Sequence, residues 1–186
     1  MSTYNQAASF IAELSCVITE GVGTLTAGKL KPAKASVAYH GYVDVSRVAE
    51  VHVCEGAREL LDERFWFGCF NSGEPERYDV RCWAPGKPHH GKRLTVASDG
   101  GLSVVPAAAV SCEWLLSWGG QPFQRRHVSE MGGPAWGFAM SHVNGASLCH
   151  EASTRVRAGW QCRAHTRKGA PLELRIQIHQ AGIAQL

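Results

Sequence analysis

The amino-acid sequence predicts an α+β fold that is predominantly antiparallel β-sheet, a sandwich or a partly closed barrel, with about two helices and a C-terminal basic β-hairpin. Three observations favour this class. The last third of the chain alternates between apolar and polar residues, turn residues separate several β-compatible segments, and helical signals are confined to two stretches. The length of 186 residues predicts a single globular domain over 1–186.

The C-terminal segment has the clearest pattern. Residues 154–165 alternate over their whole length, with Trp160 and Cys162 at positions of one parity and arginines at the other. Residues 172–179 alternate in the same way after a turn over 166–171. Successive side chains of a strand point to opposite faces, so the two segments predict an antiparallel hairpin with one apolar face and one arginine-rich face.

Other β-compatible segments are bounded by residues that favour turns. Asp99-Gly100-Gly101 and Asn144-Gly145 are typical of tight hairpins, because these residues tolerate a positive φ. The further segments that we predict as strands are 10–19, 36–54 (as two strands or one bent strand), 78–83, 93–98, 102–105, 136–143 and 146–150.

Two stretches are predicted as helices. Apolar residues recur at three-to-four spacing over 55–68, which predicts the first helix. The second prediction covers 106–118, where Pro106 suits the first helical turn and Gly119-Gly120 would end the run.

The composition indicates a packed globular protein, with 45% hydrophobic and 19% charged residues. The sequence contains no apolar run of membrane-spanning length and no basic start followed by an apolar stretch. We therefore expect a cytoplasmic protein with no membrane partner. Its seven cysteines are an odd number and widely spaced, which favours reduced thiols over a disulfide framework.

The basic residues concentrate at the C-terminal end. Residues 1–150 hold 13 Lys and Arg against 14 Asp and Glu, whereas residues 151–186 hold six against two. Arginine suits phosphate oxygens, so we predict a nucleic-acid-associated or ribonucleoprotein-type binding protein that is not an enzyme. Trp160 has the apolar parity, so stacking aromatics are not interleaved on that face. The residues predicted to contact nucleic acid are Arg155, Arg157, Arg163, Arg167, Lys168, Arg175, Arg125 and Arg126.

Two motifs for phosphate or metal binding are incomplete. Gly23 to Lys29 has the spacing of a phosphate-binding loop, but Leu30 stands where the metal-binding hydroxyl belongs, which favours a glycine-rich hairpin loop. Cys149-His150 and Cys162-x-x-His165 offer zinc ligands, but strand parity directs neighbouring residues to opposite faces and places His165 outward. We expect no metal and no cofactor.

Two other functions stay open. The first is a small cytosolic enzyme with a Cys/His site near Cys149, His150 and His142, for which Cys69 is a further candidate nucleophile. The second is a structural or inhibitory module that binds another protein through surface tryptophans. An ordinary solvated sheet face would also explain the arginines.

Overall fold

The computed structural model describes residues 3–18, 21–27, 51–55, 64–71, 75–87, 89–108, 113–156 and 159–186. In this part the fold is mostly antiparallel β-sheet. The strands are β1 (Thr3–Tyr4), β2 (Phe10–Ile18), β3 (Gly21–Ala27), β4 (Val51–Glu55), β5 (Arg64–Asn71), β6 (Arg77–Trp83), β7 (Arg93–Val96), β8 (Leu102–Val105), β9 (Trp114–Trp118), β10 (Gln121–Pro122), β11 (Ala135–His142), β12 (Cys149–His150), β13 (Thr154–Val156), β14 (Gly159–His165), β15 (Ala170–Pro171) and β16 (Leu174–Ala181). A short 3-10 helix spans Gln6–Ala8, and the α-helix α1 spans Arg125–Glu130.

Six strands pair in a closed ring. β2 pairs with β16 along one edge and with β5 through Phe10–Ala12 along the other. The ring continues from β5 to β6, β9, β11 and back to β16, every pair being antiparallel. Closure removes free edges from these strands, whose backbone groups would otherwise be open to pairing with another chain.

Aromatic side chains fill the inside of the ring. Phe10 stacks on Phe67 at 4.7 Å between ring centroids. Tyr78 and Phe123 contact Phe10 edge to face, and Phe138 contacts Phe123 in the same way. Each of these five side chains is at most 1% exposed. Burial of this much apolar surface is the main stabilising contribution to the fold.

The same sheet continues beyond the ring. The second half of β2 pairs with β3, which pairs with β4, and β4 pairs with β14. The hairpin of β7 and β8 leaves the ring at β6, and its turn reaches the end of β14 through a bridge between Gly101 and His165. The turn predicted at Asp99-Gly100-Gly101 is therefore confirmed.

Neither predicted helix is confirmed. Residues 64–68 of the first belong to β5, and its residues 56–63 lie outside the described part of the chain. Phe65 and Phe67 face the ring interior, while Trp66 packs in a second apolar cluster on the other side. A strand that is buried on both faces has a continuous apolar run, and such a run cannot be distinguished from a buried helix by its periodicity.

The second predicted helix is wrong over 114–118, which form β9, and residues 109–112 lie outside the described part. Trp114 and Leu116 are buried inside the ring with the alternation of a strand. The helix α1 occurs instead in a region for which we predicted neither a helix nor a strand, and its Val128 is buried in the core. Tertiary packing of a few apolar residues, rather than a long helical period, stabilises this short helix.

The predicted C-terminal hairpin is wrong in its pairing. β14 pairs with β4, β12 and β13, whereas β16 pairs with β2 and β11 to close the ring. β13 and β14 are antiparallel neighbours, so residues 154–165 do not form one continuous strand. The second segment forms the strand β16 as predicted, whereas the first forms the two strands β13 and β14. The hydrophobic face of an alternating strand can be buried against any sheet of suitable register.

Candidate functional site

The outer sheet face is the surface of β16, β2, β3, β4 and β14 that points away from the core. Directly paired residues of antiparallel strands share a face, and the register links Arg175 to Ser15 and Ser15 to Thr24. The same chain of pairs continues from Thr24 through β4 to Gln161 on β14, and Arg163 lies two residues further along that strand on the same face. Arg163 and Arg175 therefore share one face, and four strand spacings, about 19 Å, separate their two strands. Two residues away along the same strands, Glu13 on β2 and Gln177 on β16 pair with each other on this face and are partly exposed.

At one end of this face, Arg163 forms an ion pair with Asp99. Its Nη1 donates a hydrogen bond to Asp99 Oδ2 at 2.8 Å, and the Gly101 N–H donates to Oδ1 at 2.9 Å. These two donors, the backbone N–H first, lower the pKa of Asp99. The guanidinium also lies against Gly101, where an added Cβ would be 2.1 Å from Nη2. We call this arrangement the closed end of the outer sheet face.

His165 lies beneath the same turn and is only 1% exposed, so its predicted outward direction is wrong. The reason is the docked β7–β8 hairpin, whose Gly100 packs against the imidazole. His165 Nδ1 accepts hydrogen bonds from the N–H groups of Arg167 at 2.9 Å and Lys168 at 3.1 Å. The imidazole thereby holds the basic turn 166–169 next to the closed end.

The tautomer of His165 argues against this residue as a zinc ligand. Since Nδ1 accepts two N–H groups, the ring proton is on Nε2, which then has no lone pair for a metal. Nε2 lies 3.8 Å from Glu151 Oε1. Among the side chains that the structure describes, no group of three or more His, Cys, Asp or Glu residues is placed to hold a metal ion.

The thiols proposed for an enzyme are not activated. Burial, with a smaller contribution from Glu76, raises the pKa of Cys69 to about 12. Burial also raises the pKa of Cys149. His150 Nδ1 lies 2.9 Å from the carbonyl oxygen of Glu151, and His142 Nδ1 accepts a hydrogen bond from the Asn144 N–H. These contacts orient both imidazoles locally and do not favour a cysteine nucleophile.

The structure describes only the first part of the segment that has the spacing of a phosphate-binding loop. Gly23 to Ala27 belong to β3, which pairs with β2 and β4, so the expected hairpin loop is wrong for these residues. Their backbone groups take part in sheet pairing and are not arranged around an anion. Gly28 and Lys29 lie outside the described residues.

At the opposite end of the outer sheet face, the neighbouring strand β11 contains a β-bulge where it pairs with β16. Ala135 pairs with Ile176 and Phe138 pairs with Leu174, so Trp136 and Gly137 together oppose the single residue Arg175. Gly137 has φ = +86°, a conformation that favours glycine. The Arg175 guanidinium carbon lies 5.8 Å from the centroid of the Trp136 ring, which is a cation–π contact. We call this the open end.

The other predicted arginines and lysine are dispersed. Arg167 is exposed and donates to the Ser98 carbonyl at 3.0 Å, and Lys168 is exposed beside it. Arg126 is exposed on α1 and contacts His127. The side chains of Arg125 and Arg155 and the whole of Arg157 lie outside the described part. The structure thus brings Arg163, Arg167 and Lys168 together and places Arg175 on a different strand.

Sequence reasoning missed Trp136 and Asp99. Strict alternation assigns Trp136 to the same face as Phe138 and Met140, both of which are buried. Gly137 was the one local signal of a bulge. Asp99 was interpreted only as a turn residue, and no local pattern indicates an ion pair with a residue 64 positions later.

Comparison of the chain with protein-family models, with curated proteins and with solved structures found no match. The interpretation of the outer sheet face therefore rests on its geometry. Within the described ranges, no helix combines the length and the apolar character needed to span a membrane.

Proposed function

We propose that the protein binds nucleic acid on the outer sheet face and acts as a non-enzymatic, nucleic-acid-associated protein. The observation that carries the proposal is the open end, where Arg175 faces outward beside the partly exposed polar residues Ser15 and Gln177. Within the described residues, Arg175 makes no ion pair, so its charge is available to an anionic ligand. A guanidinium binds phosphate oxygens through two parallel N–H donors.

The surroundings of Arg175 suit a sugar–phosphate backbone. Ser15 and Thr24 carry hydroxyl groups and Gln177 carries an amide, and all three side chains are partly exposed. Such groups contact phosphates and sugars in protein–nucleic-acid interfaces. The turn at 166–169 adds the exposed charges of Arg167 and Lys168. The chain's net charge of +3 is consistent with an anionic ligand.

The decisive experiment measures the affinity of the protein for a labelled oligonucleotide at several salt concentrations. We expect the logarithm of the affinity to fall linearly with the logarithm of the salt concentration. Arg175→Ala should reduce that slope by about one, and Arg175→Glu should weaken binding about tenfold or more. The double variant Arg167→Glu/Lys168→Glu tests whether the 166–169 turn contributes to the same binding.

Lys87→Glu is the matched control. It makes the same change of charge as Arg175→Glu on an exposed loop after β6, on the far side of the ring from β16. Equal loss of affinity in the Lys87 and Arg175 variants would show that only net charge matters. Absence of salt-dependent binding by the unaltered protein would overturn the proposed function.

A further inference from the structure

The bulge in β11 separates Trp136 from the core aromatics that neighbour it in sequence. Phe138 and Met140 are 1% exposed, whereas Trp136 is 39% exposed. Without the extra residue, the alternation of the strand would direct Trp136 into the interior with them. Bulges commonly redirect a side chain next to a binding site.

The backbone around Trp136 is held in place. Trp118 Nε1 donates a hydrogen bond to the Trp136 carbonyl at 2.9 Å, and the Trp118 ring stacks on Phe138 at 5.4 Å with an interplanar angle of 4°. The Trp136 indole is thus presented from a rigid sheet, and a ligand that stacks on it meets a platform with little conformational entropy to lose.

We infer that Trp136 is a stacking platform for an unpaired nucleobase, and that Arg175 binds the adjoining phosphate, so the preferred ligand is a single strand. This inference rests on the proposed function. Every base has a π-face that can stack on an indole, and a guanidinium beside it matches the negative charge of the backbone. In a duplex the faces of the bases are already stacked on one another, and only the phosphates and groove edges are accessible.

The test compares a labelled single-stranded oligonucleotide with the duplex of the same sequence, using fluorescence anisotropy at fixed salt. We expect the unaltered protein to bind the single strand more tightly. Trp136→Ala should weaken single-strand binding about tenfold, equivalent to ~1.4 kcal/mol, and should leave duplex binding nearly unchanged. Trp136→Phe keeps a ring and should retain most of the affinity.

Val143→Ala is the matched control, because Val143 is also an exposed apolar residue and directly follows β11. It should change neither affinity. The inference is overturned if the duplex is preferred, or if Trp136→Ala leaves single-strand binding unchanged while Arg175→Glu weakens binding to both ligands. That last result would preserve the proposed function, which fails separately if the unaltered protein binds neither nucleic acid.

Discussion

The two ends of the outer sheet face carry the same residue type in contrasting surroundings. At the closed end, Arg163 is paired with Asp99 and packs against the turn of the β7–β8 hairpin. At the open end, Arg175 contacts Trp136, which is partly exposed. An arginine count in the sequence treats both residues alike. The comparison shows that a partner from a distant strand decides whether a positive charge holds the fold together or is available to a ligand.

The largest expected effect is on stability, and it distinguishes the exposed Trp136 at the open end from Phe138, its buried neighbour in β11. Phe138→Ala should lower the free energy of unfolding by about 3–5 kcal/mol, because it leaves a cavity among the ring aromatics. Trp136→Ala should lower it by less than about 1 kcal/mol, the scale of an exposed cation–π contact. Urea denaturation measures both. A loss for Trp136→Ala as large as that for Phe138→Ala would show that Trp136 supports the fold rather than a ligand.

At the closed end, the docked turn should be sensitive to a single methyl group. Gly100 has φ = +94°, and an added Cβ would lie 2.6 Å from the His165 ring. Gly100→Ala should lower the free energy of unfolding by about 3 kcal/mol, from backbone strain and steric overlap together.

The control for Gly100→Ala is Gly145→Ala. Gly145 has a similar φ of +89°, but nothing lies within 4 Å of the added Cβ. The strain alone should cost about 1 kcal/mol there. Equal losses in the two variants, measured by the same denaturation, would mean that the β7–β8 turn is not docked at the closed end.

The imidazole of His165 should contribute through its acceptor atom. His165→Phe keeps a ring but leaves the N–H groups of Arg167 and Lys168 without their partner, so we expect a loss of about 1.5 kcal/mol. Faster hydrogen exchange at these two amides would check the cause. If their exchange is unchanged, the contacts of His165 Nδ1 do not hold the 166–169 turn.

The smallest effect concerns the ion pair at the closed end. The pKa of Asp99 is lowered in the folded state, so its stabilising contribution is present above the ordinary carboxyl pKa and is lost as the pH falls through the folded value. Asp99→Asn should therefore be less stable than the unaltered protein near neutral pH, and the difference should shrink in acid. Thermal unfolding over a pH series measures it.

Glu130→Gln is the control for the pH series, because it removes an exposed carboxylate on α1 instead. The same pH-dependent difference in both variants would rule out a specific contribution from Asp99.

Several strands could be predicted because their signals are local. The strand predicted at 10–19 appears as β2 over Phe10–Ile18, and the turn at Asp99-Gly100-Gly101 joins two paired strands. At Asn144-Gly145, the Gly145 N–H donates to the His142 carbonyl, and Ser141 bridges Ser147. The segment predicted as the second strand of that hairpin, 146–150, however, contains β12, which pairs with β14 and β15 instead.

The candidate site was predicted less well, because its residues meet through pairing across the sheet. Arg163 and Arg175 do share a face as predicted, but β2, β3 and β4 lie between their strands. The prediction assumed one hairpin and therefore a compact cluster. Trp136 was assigned no role in nucleic-acid binding, since one inserted residue reverses the direction that alternation predicts.

The sequence by itself determined that this protein is β-rich, where several of its turns lie, and that its excess positive charge lies in the last 36 residues. These properties follow from local backbone preferences, from the spacing of apolar residues along the chain and from composition. Only the tertiary structure decided which strands pair, that residues 64–68 and 114–118 are strands, and which arginine is neutralised by Asp99. The physical reason is that strand pairing, burial on two faces and ion pairing join residues far apart in the chain, and no local pattern specifies their partners.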